Sequence, residues 1–174
     1  NFEIDLIEDD VQLSHYKKFP NKKLLIVDDN YTWHEVLKNT LELFDIEVTS
    51  AYSGEEAIDI VDSCNNSFDL ILMDWQMPNL DGIHTTKKIL KNCQNKNHQI
   101  PPTIVMISSH RQELIAEEAK EAGIEIFLQK PINPSVLNDI LSGIFFGDIK
   151  KEYVNKSKDF SSKNHIAKLK GSKI

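Results

Sequence analysis

The chain has 174 residues, 40% hydrophobic and 27% charged, with a formal net charge of −7 and two cysteines. That length suits one domain with a substantial core, and the composition is ordinary for a soluble globular protein. Cys64 and Cys93 have no paired metal-type spacing, which argues against a disulfide framework, and no apolar run approaches the ~20 residues a membrane helix needs.

The acidic start, Asn1 to Asp10, is unlike the basic start of a signal peptide. Charge is unevenly spread, with −3 on residues 1–20, −9 on 21–147 and +5 on 148–174. An acidic middle disfavours a nucleic-acid backbone and favours a cation. The lysine-rich tail reads chiefly as a solvated linker, with contact to nucleic acid or anionic lipid as the lesser reading.

Residues 1–21 lack sustained periodicity and read as a linker or extension ending in Phe19-Pro20-Asn21. Lys23 to Val27 reads as a buried strand that stops at Asp28-Asp29-Asn30. Tyr31 to Asp45 has a helical pattern with Val36, Leu37, Thr40, Leu41 and Phe44 on one face. His34 reads as an exposed helix histidine. Ile46 to Ala51 alternates like a strand. Ser53-Gly-Glu-Glu56 is a capping box opening a second helix, with Ala57, Ile58 and Val61 inward.

Phe68 to Met73 reads as the third strand, with a helix from about Gly82 to Asn92. Asn92 to Pro102 reads as a surface loop. Thr103 to Ile107 is a fourth strand ending at Ser108-Ser109, and Arg111 to Ala122 a helix closed by Gly123. Glu125 to Gln129 is a short fifth strand ending at Lys130-Pro131. Asn133-Pro134 starts a last helix with a stripe of Val136, Leu137, Ile140, Leu141, Ile144 and Phe145. Alternation of apolar strands with amphipathic helices calls for a doubly wound α/β fold, a mostly parallel five-stranded sheet covered on both faces. The order 2-1-3-4-5 is one of the common solutions.

In a parallel sheet all strand C-termini share one edge. Asp28 and Asp29, Asp74, Ser108 and Lys130 stand there. Carboxylates held together repel, and a divalent cation resolves that. Mg²⁺ prefers oxygen ligands and keeps room for phosphate oxygens. With a lysine and a hydroxyl alongside, the set suits a carboxylate nucleophile attacking phosphorus. An Asp-Asp after a strand, or a lone strand-end Lys, is by itself more often a cap or a surface residue. The combination in order is what carries the reading.

Leu25-Ile-Val-Asp-Asp-Asn30, Leu72-Met-Asp-Trp-Gln-Met-Pro-Asn-Leu-Asp-Gly82, Ile107-Ser-Ser109 and Phe127-Leu-Gln-Lys-Pro131 resemble the receiver domain of two-component response regulators, over about residues 22–147. The resemblance implies the flavodoxin-like order 2-1-3-4-5. It implies that Asp74 accepts a phosphoryl group from a phosphohistidine on a histidine kinase or histidine phosphotransfer partner. It assigns Mg²⁺, with Mn²⁺ as a substitute, to Asp28, Asp29, Asp74 and the main-chain carbonyl of Gln76. Lys130 would pair with the phosphoryl oxygens, across a cis bond to Pro131. Ser108 and Phe127 would form a switch, with Phe127 standing where Tyr is common. Gln76 and His110 occupy positions that tune phosphoryl lifetime.

Trp33 and Trp75 flank this site in the sequence. Leu169-Lys-Gly-Ser-Lys-Ile174 resembles the approach to the first strand, Phe19 to Leu24. With a non-Met first residue, that suggests a piece of a hybrid sensor histidine kinase with tandem receivers, in which residues 148–174 lead to a second one. The expected place is the cytoplasm, which leaves room for a membrane-anchored parent, with neither nucleic acid nor membrane contacted by this segment. Competing readings are a pseudo-receiver that never carries phosphate and a metal-dependent phosphatase. The phosphatase would favour an acid two residues after the nucleophile, where Gln76 stands. A dinucleotide-binding enzyme lacks its G-x-G-x-x-G after the first strand.

Overall fold

A computed structural model describes residues 16–63, 68–95, 102–109 and 116–147. In chain order the elements are β1 Lys22–Val27, α1 Tyr31–Glu42, β2 Ile46–Ala51, α2 Gly54–Ser63, β3 Leu70–Asp74, α3 Gly82–Asn95, β4 Thr103–Ser108, α4 Ala116–Glu121, β5 Ile126–Gln129 and α5 Pro134–Phe146. The strands form one five-stranded sheet of order β2-β1-β3-β4-β5, every pair parallel. This is the doubly wound, flavodoxin-like arrangement expected from the alternation of elements. Among the described residues no helix is long and apolar enough to cross a membrane.

Side chains of a strand alternate between faces, and the central strands are apolar on both. Leu25, Val27, Ile71, Met73 and Met106 pack under α2, α3 and α4 through Ala57, Val61, Ile83, Ile89 and Ala119. Leu24, Ile26, Leu70, Leu72, Val105 and Ile107 pack under α1 and α5 through Leu37, Leu41, Leu137, Ile140 and Leu141. Burial on both faces is why these strands read as near-continuous apolar runs.

The helix ends follow from local chemistry. Asn30 caps α1 by accepting from Trp33 N–H at 3.2 Å. Ser53 Oγ accepts from Glu56 N–H at 3.1 Å, and the Glu56 carboxylate reaches back to Tyr52 N–H at 2.7 Å. The expected box therefore closes one residue earlier than its usual form. Asn133 caps α5 with Pro134 in the first turn, and Gly147 closes it in the left-handed region at φ 78°.

Several expectations shift. The first helix stops at Glu42 because Asp45 turns left-handed at φ 60°, which carries Phe44 back into the core. Val36 is 46% exposed rather than inward, and Val136 on α5 is 43% exposed. Their helices are rotated so that Leu37 and Leu41, and Leu137 and Leu141, face the sheet. The third strand starts at Leu70, two residues later than expected, and the third helix runs on to Asn95. His110, the first part of the helix expected from Arg111, Cys64 and residues 1–15 and 148–174 lie outside the described residues.

Residues 16–21, expected in a linker, pack on the sheet's α1/α5 side. Phe19 is 2% exposed, its N–H donates to the Phe44 carbonyl at 2.8 Å, and its ring lies 5.3 Å from Phe145 and 6.4 Å from Phe44. Asn138, buried on α5, accepts from Lys17 N–H at 3.0 Å and donates to the Lys17 carbonyl at 2.9 Å. Phe19→Ala should cost about 3–5 kcal/mol in chemical denaturation, the usual range for emptying a buried phenylalanine site. A loss below about 1 kcal/mol, far under that range, would show that this segment adds little to the core.

Candidate functional site

The register of the sheet assembles the site. Val27 pairs with Met73, so Asp28 and Asp74 emerge side by side, and Asp74 pairs with Ile107. Ile107 pairs with Leu128, so Lys130, two residues on, points to the same face as both acids. Ser108 points to the other face, which it shares with Met106 and its partner Phe127.

Gly82 closes the loop after β3. Its N–H donates to the Trp75 carbonyl at 3.0 Å, and any Cβ there would run into the Asp74 carbonyl. Only glycine lets the loop pass this close to the strand end.

Asp28 is 1% exposed and Asp74 6%. Lys130 Nζ donates to Asp28 Oδ2 at 2.5 Å and to Asp74 Oδ1 at 2.7 Å, and lies 5.2 Å from the centre of the Trp33 ring. The Asp28 carboxylate also accepts from Asn30 N–H at 2.9 Å. Asp29 is exposed, yet oxygens of Asp28, Asp29 and Asp74 fall within 4.8 Å of one another. One open pocket is lined by Asp28, Asp29, Asn30, Asp74, Gln76, Ser108, Ser109 and Lys130. The Lys130–Pro131 peptide is cis.

Burial raises the Asp74 carboxyl above its ordinary value, and the charge of Asp28 adds to that rise. The Lys130 hydrogen bond and charge and the Gln76 backbone N–H pull the other way without overcoming it. For Lys130, burial works against the ammonium, but the hydrogen bonds and charges of Asp28 and Asp74 outweigh it, so its pKa is raised. Three carboxylates against one ammonium leave an excess of negative charge. Hard oxygen donors with that excess, open to solvent on one side, suit a small divalent cation such as Mg²⁺.

The sequence-derived set is therefore brought to one place: Asp28, Asp29, Asp74, Ser108, Lys130 and exposed Gln76 all line the pocket. Phe127 lies behind it, half-buried, on the Ser108 face. Asn30 and Ser109 were not singled out as site residues, although each directly follows one that was. His34, expected on the exposed side of α1, is 1% exposed. Its ring hydrogen-bonds the Asp28 carbonyl and Ser50.

Fold and pocket together define an α/β domain with an acidic pocket at the carboxyl edge of its sheet. A family model described as the response regulator receiver domain matches residues 24–142, and the chain belongs to that family of two-component signal transduction. A chemotaxis protein CheY homolog of Campylobacter jejuni is 32% identical over 123 residues, covering 70% of this chain and 91% of that protein. Hybrid signal transduction histidine kinase I of Dictyostelium discoideum is 30% identical over 135 residues, 76% of this chain but only 8% of the kinase's length. Hybrid signal transduction histidine kinase A of the same organism is likewise matched over only 6% of its length.

Among solved structures, the receiver domain of the histidine kinase CKI1 from Arabidopsis thaliana, complexed with Mg²⁺ and BeF₃⁻, matches with a TM-score of 0.64 at 30% identity, covering 72% of this chain and 90% of that one. A co-crystal of the Saccharomyces cerevisiae phosphotransfer protein Ypd1 with the receiver domain of Ssk1 matches with a TM-score of 0.65 at 29% identity, covering 72% and 90%.

Proposed function

We propose that this chain is the phosphoacceptor of a His-to-Asp phosphorelay. The observation that carries the reading is the buried Asp74 carboxylate, tied through Lys130 to Asp28 with a third acid, Asp29, in reach. An Asp74 carboxylate oxygen attacks the phosphorus of a phosphohistidine. The new P–O bond forms as the P–N bond breaks, and the imidazole leaves with the electron pair and takes up a proton. Lys130 holds the carboxylate in place and pairs with the phosphoryl oxygens as they arrive.

Asp28, Asp29, Asp74 and the Gln76 carbonyl would hold Mg²⁺, or Mn²⁺ in its stead. When bound, the ion supplies charge neutralisation for the transferring group, the main requirement of this chemistry. The Mg²⁺ and BeF₃⁻ named with the CKI1 receiver support this choice.

The Ser108 hydroxyl then turns to the phosphoryl group and Phe127 moves inward behind it, shifting the population of a partner-binding surface. Gln76 and His110 tune the lifetime of the acyl phosphate. The immediate partner is a histidine kinase or a histidine phosphotransfer domain, as Ypd1 is for Ssk1. Residues 22–147 form the receiver with 16–21 packed against it, and 1–15 and 148–174 connect it to neighbours within a hybrid histidine kinase, the class of two of the matched relatives. The domain works on the cytoplasmic side.

Incubation with acetyl phosphate and Mg²⁺ should give one phosphoryl adduct by intact mass spectrometry, and chelation of the metal should prevent it. Mg²⁺ binding without any adduct would instead make the chain a pseudo-receiver. Absence of both would sink the reading altogether.

A further inference from the structure

His34 has no part in the chemistry above, yet it is 1% exposed on α1. An imidazole is costly to bury unless its nitrogens find partners. Both do: Nε2 lies 2.7 Å from the Asp28 carbonyl oxygen and Nδ1 3.1 Å from Ser50 Oγ. A carbonyl only accepts, so Nε2 carries a proton, and in the neutral ring Nδ1 accepts from the Ser50 hydroxyl. The bonds thus run in one direction, from Ser50 on β2 through His34 to Asp28 at the end of β1. The Tyr52 ring lies 4.3 Å from the imidazole and stacks on Tyr31 at the same separation, closing over this chain of bonds.

The carbonyl served by His34 lies just past the end of the ladder. Asp28 N–H still donates to Ala51 at 3.2 Å, but Ala51 is the last residue of β2. The first turn of α1 does not reach it either, since Trp33 N–H and His34 N–H donate to the Asn30 carbonyl. That oxygen belongs to the peptide joining Asp28 to Asp29. Rotating this peptide would re-aim both acids. The Asp28 carboxylate has other restraints, Asn30 N–H and Lys130. Asp29 is exposed, so its direction depends on the backbone that carries it.

We propose that His34 is a positioning residue for the cation site: its Nε2–H clamps the Asp28–Asp29 peptide so that both carboxylates face the same ion. This rests on the receiver reading, which assigns those acids to Mg²⁺. Partners that orient metal ligands from behind commonly change metal affinity by about 10–100-fold.

The test uses the full chain, with Mn²⁺ binding followed by electron paramagnetic resonance and Mg²⁺ by competition. Metal-free stability is measured in parallel. His34→Leu should weaken both ions by about 10-fold or more. His34→Gln, whose amide N–H reaches the Asp28 carbonyl, should recover most of that loss. His34→Asn places its amide near the Nδ1 position, facing Ser50, and should not. The contrast between Gln and Asn holds even if the leucine variant fails to fold. A folded His34→Leu that binds as wild type does, or equal affinities for the Gln and Asn variants, would overturn the proposal and leave His34 a core residue only. Wild type that binds no metal would instead overturn the proposed phosphoacceptor function on which this rests.

Discussion

Asp74→Asn is expected to abolish phosphoryl transfer to the chain, with no adduct from acetyl phosphate or a phosphohistidine donor, while leaving the protein folded and more stable without metal. The loss is complete because an amide oxygen at this position cannot act as the nucleophile, and Asp28 is already held by Lys130 and Asn30. The gain in stability follows from the raised pKa of Asp74, caused first by burial and then by the charge of Asp28. A carboxyl whose folded pKa lies above its unfolded value binds protons more tightly in the folded state. Its ionised form is therefore a penalty to folding above the folded pKa, and the penalty fades as pH falls through it. Asparagine carries no charge at any pH and can still accept from Lys130. Urea denaturation without metal should find Asp74→Asn ahead of wild type at neutral pH, with the two converging in acid. A surviving adduct would move the acceptor elsewhere, and a variant less stable at neutral pH would contradict the electrostatic account.

Most of this site was legible because its signals are local to strand ends. Leu24 to Val27 and Leu70 to Met73 are apolar without interruption, so the acid that stops each run stands out. The parallel sheet then places all such acids on one edge. Asn133-Pro134 and Ser53 to Glu56 were legible for a similar reason, since caps depend on neighbours within a turn.

What escaped depends on partners far along the chain. The helical period of about 3.6 residues sets His34 on the face of Leu37 and Leu41 and Val36 off it, but a histidine on that face reads as exposed until its partners are known, and they come from the end of β1 and from Ser50. Val36 had the better claim to the core by hydrophobicity, and the rotation of the helix set by Leu37 and Leu41 overrode it. Phe19 looked like part of a linker because a single aromatic beside a proline has no pattern. Its burial is created by Phe44 and Phe145, distant residues that only the fold brings together.

Lys130→Met should show how far one ammonium holds the empty site together. Methionine keeps an unbranched stem of similar length beside Trp33 and removes the charge shared by Asp28 and Asp74. Stripping one partner from a buried ion pair leaves an uncompensated charge, and the expected cost is about 3 kcal/mol, the low end of the range because this pocket opens to solvent. The cost should be greatest at neutral pH and shrink in acid as Asp74, whose pKa burial raises, takes up its proton.

Mg²⁺ should act differently on the two proteins. In wild type the ammonium sits on oxygens of two of the acids the ion would use, so it competes electrostatically with the ion. Without it the ion should bind more tightly. A ligand present at about 100 times its Kd adds about 2.7 kcal/mol to folding stability, so tighter binding gives the variant the larger gain at any fixed Mg²⁺ concentration. Denaturation midpoints should therefore differ widely without metal and narrowly with it, while the variant, having lost the lysine proposed to receive the phosphoryl oxygens, should respond poorly to acetyl phosphate. If Mg²⁺ left the stability gap unchanged or widened it, Lys130 and the ion would not be alternatives for the same carboxylates, and the assignment of Asp28 and Asp74 to one shared cation site would fall.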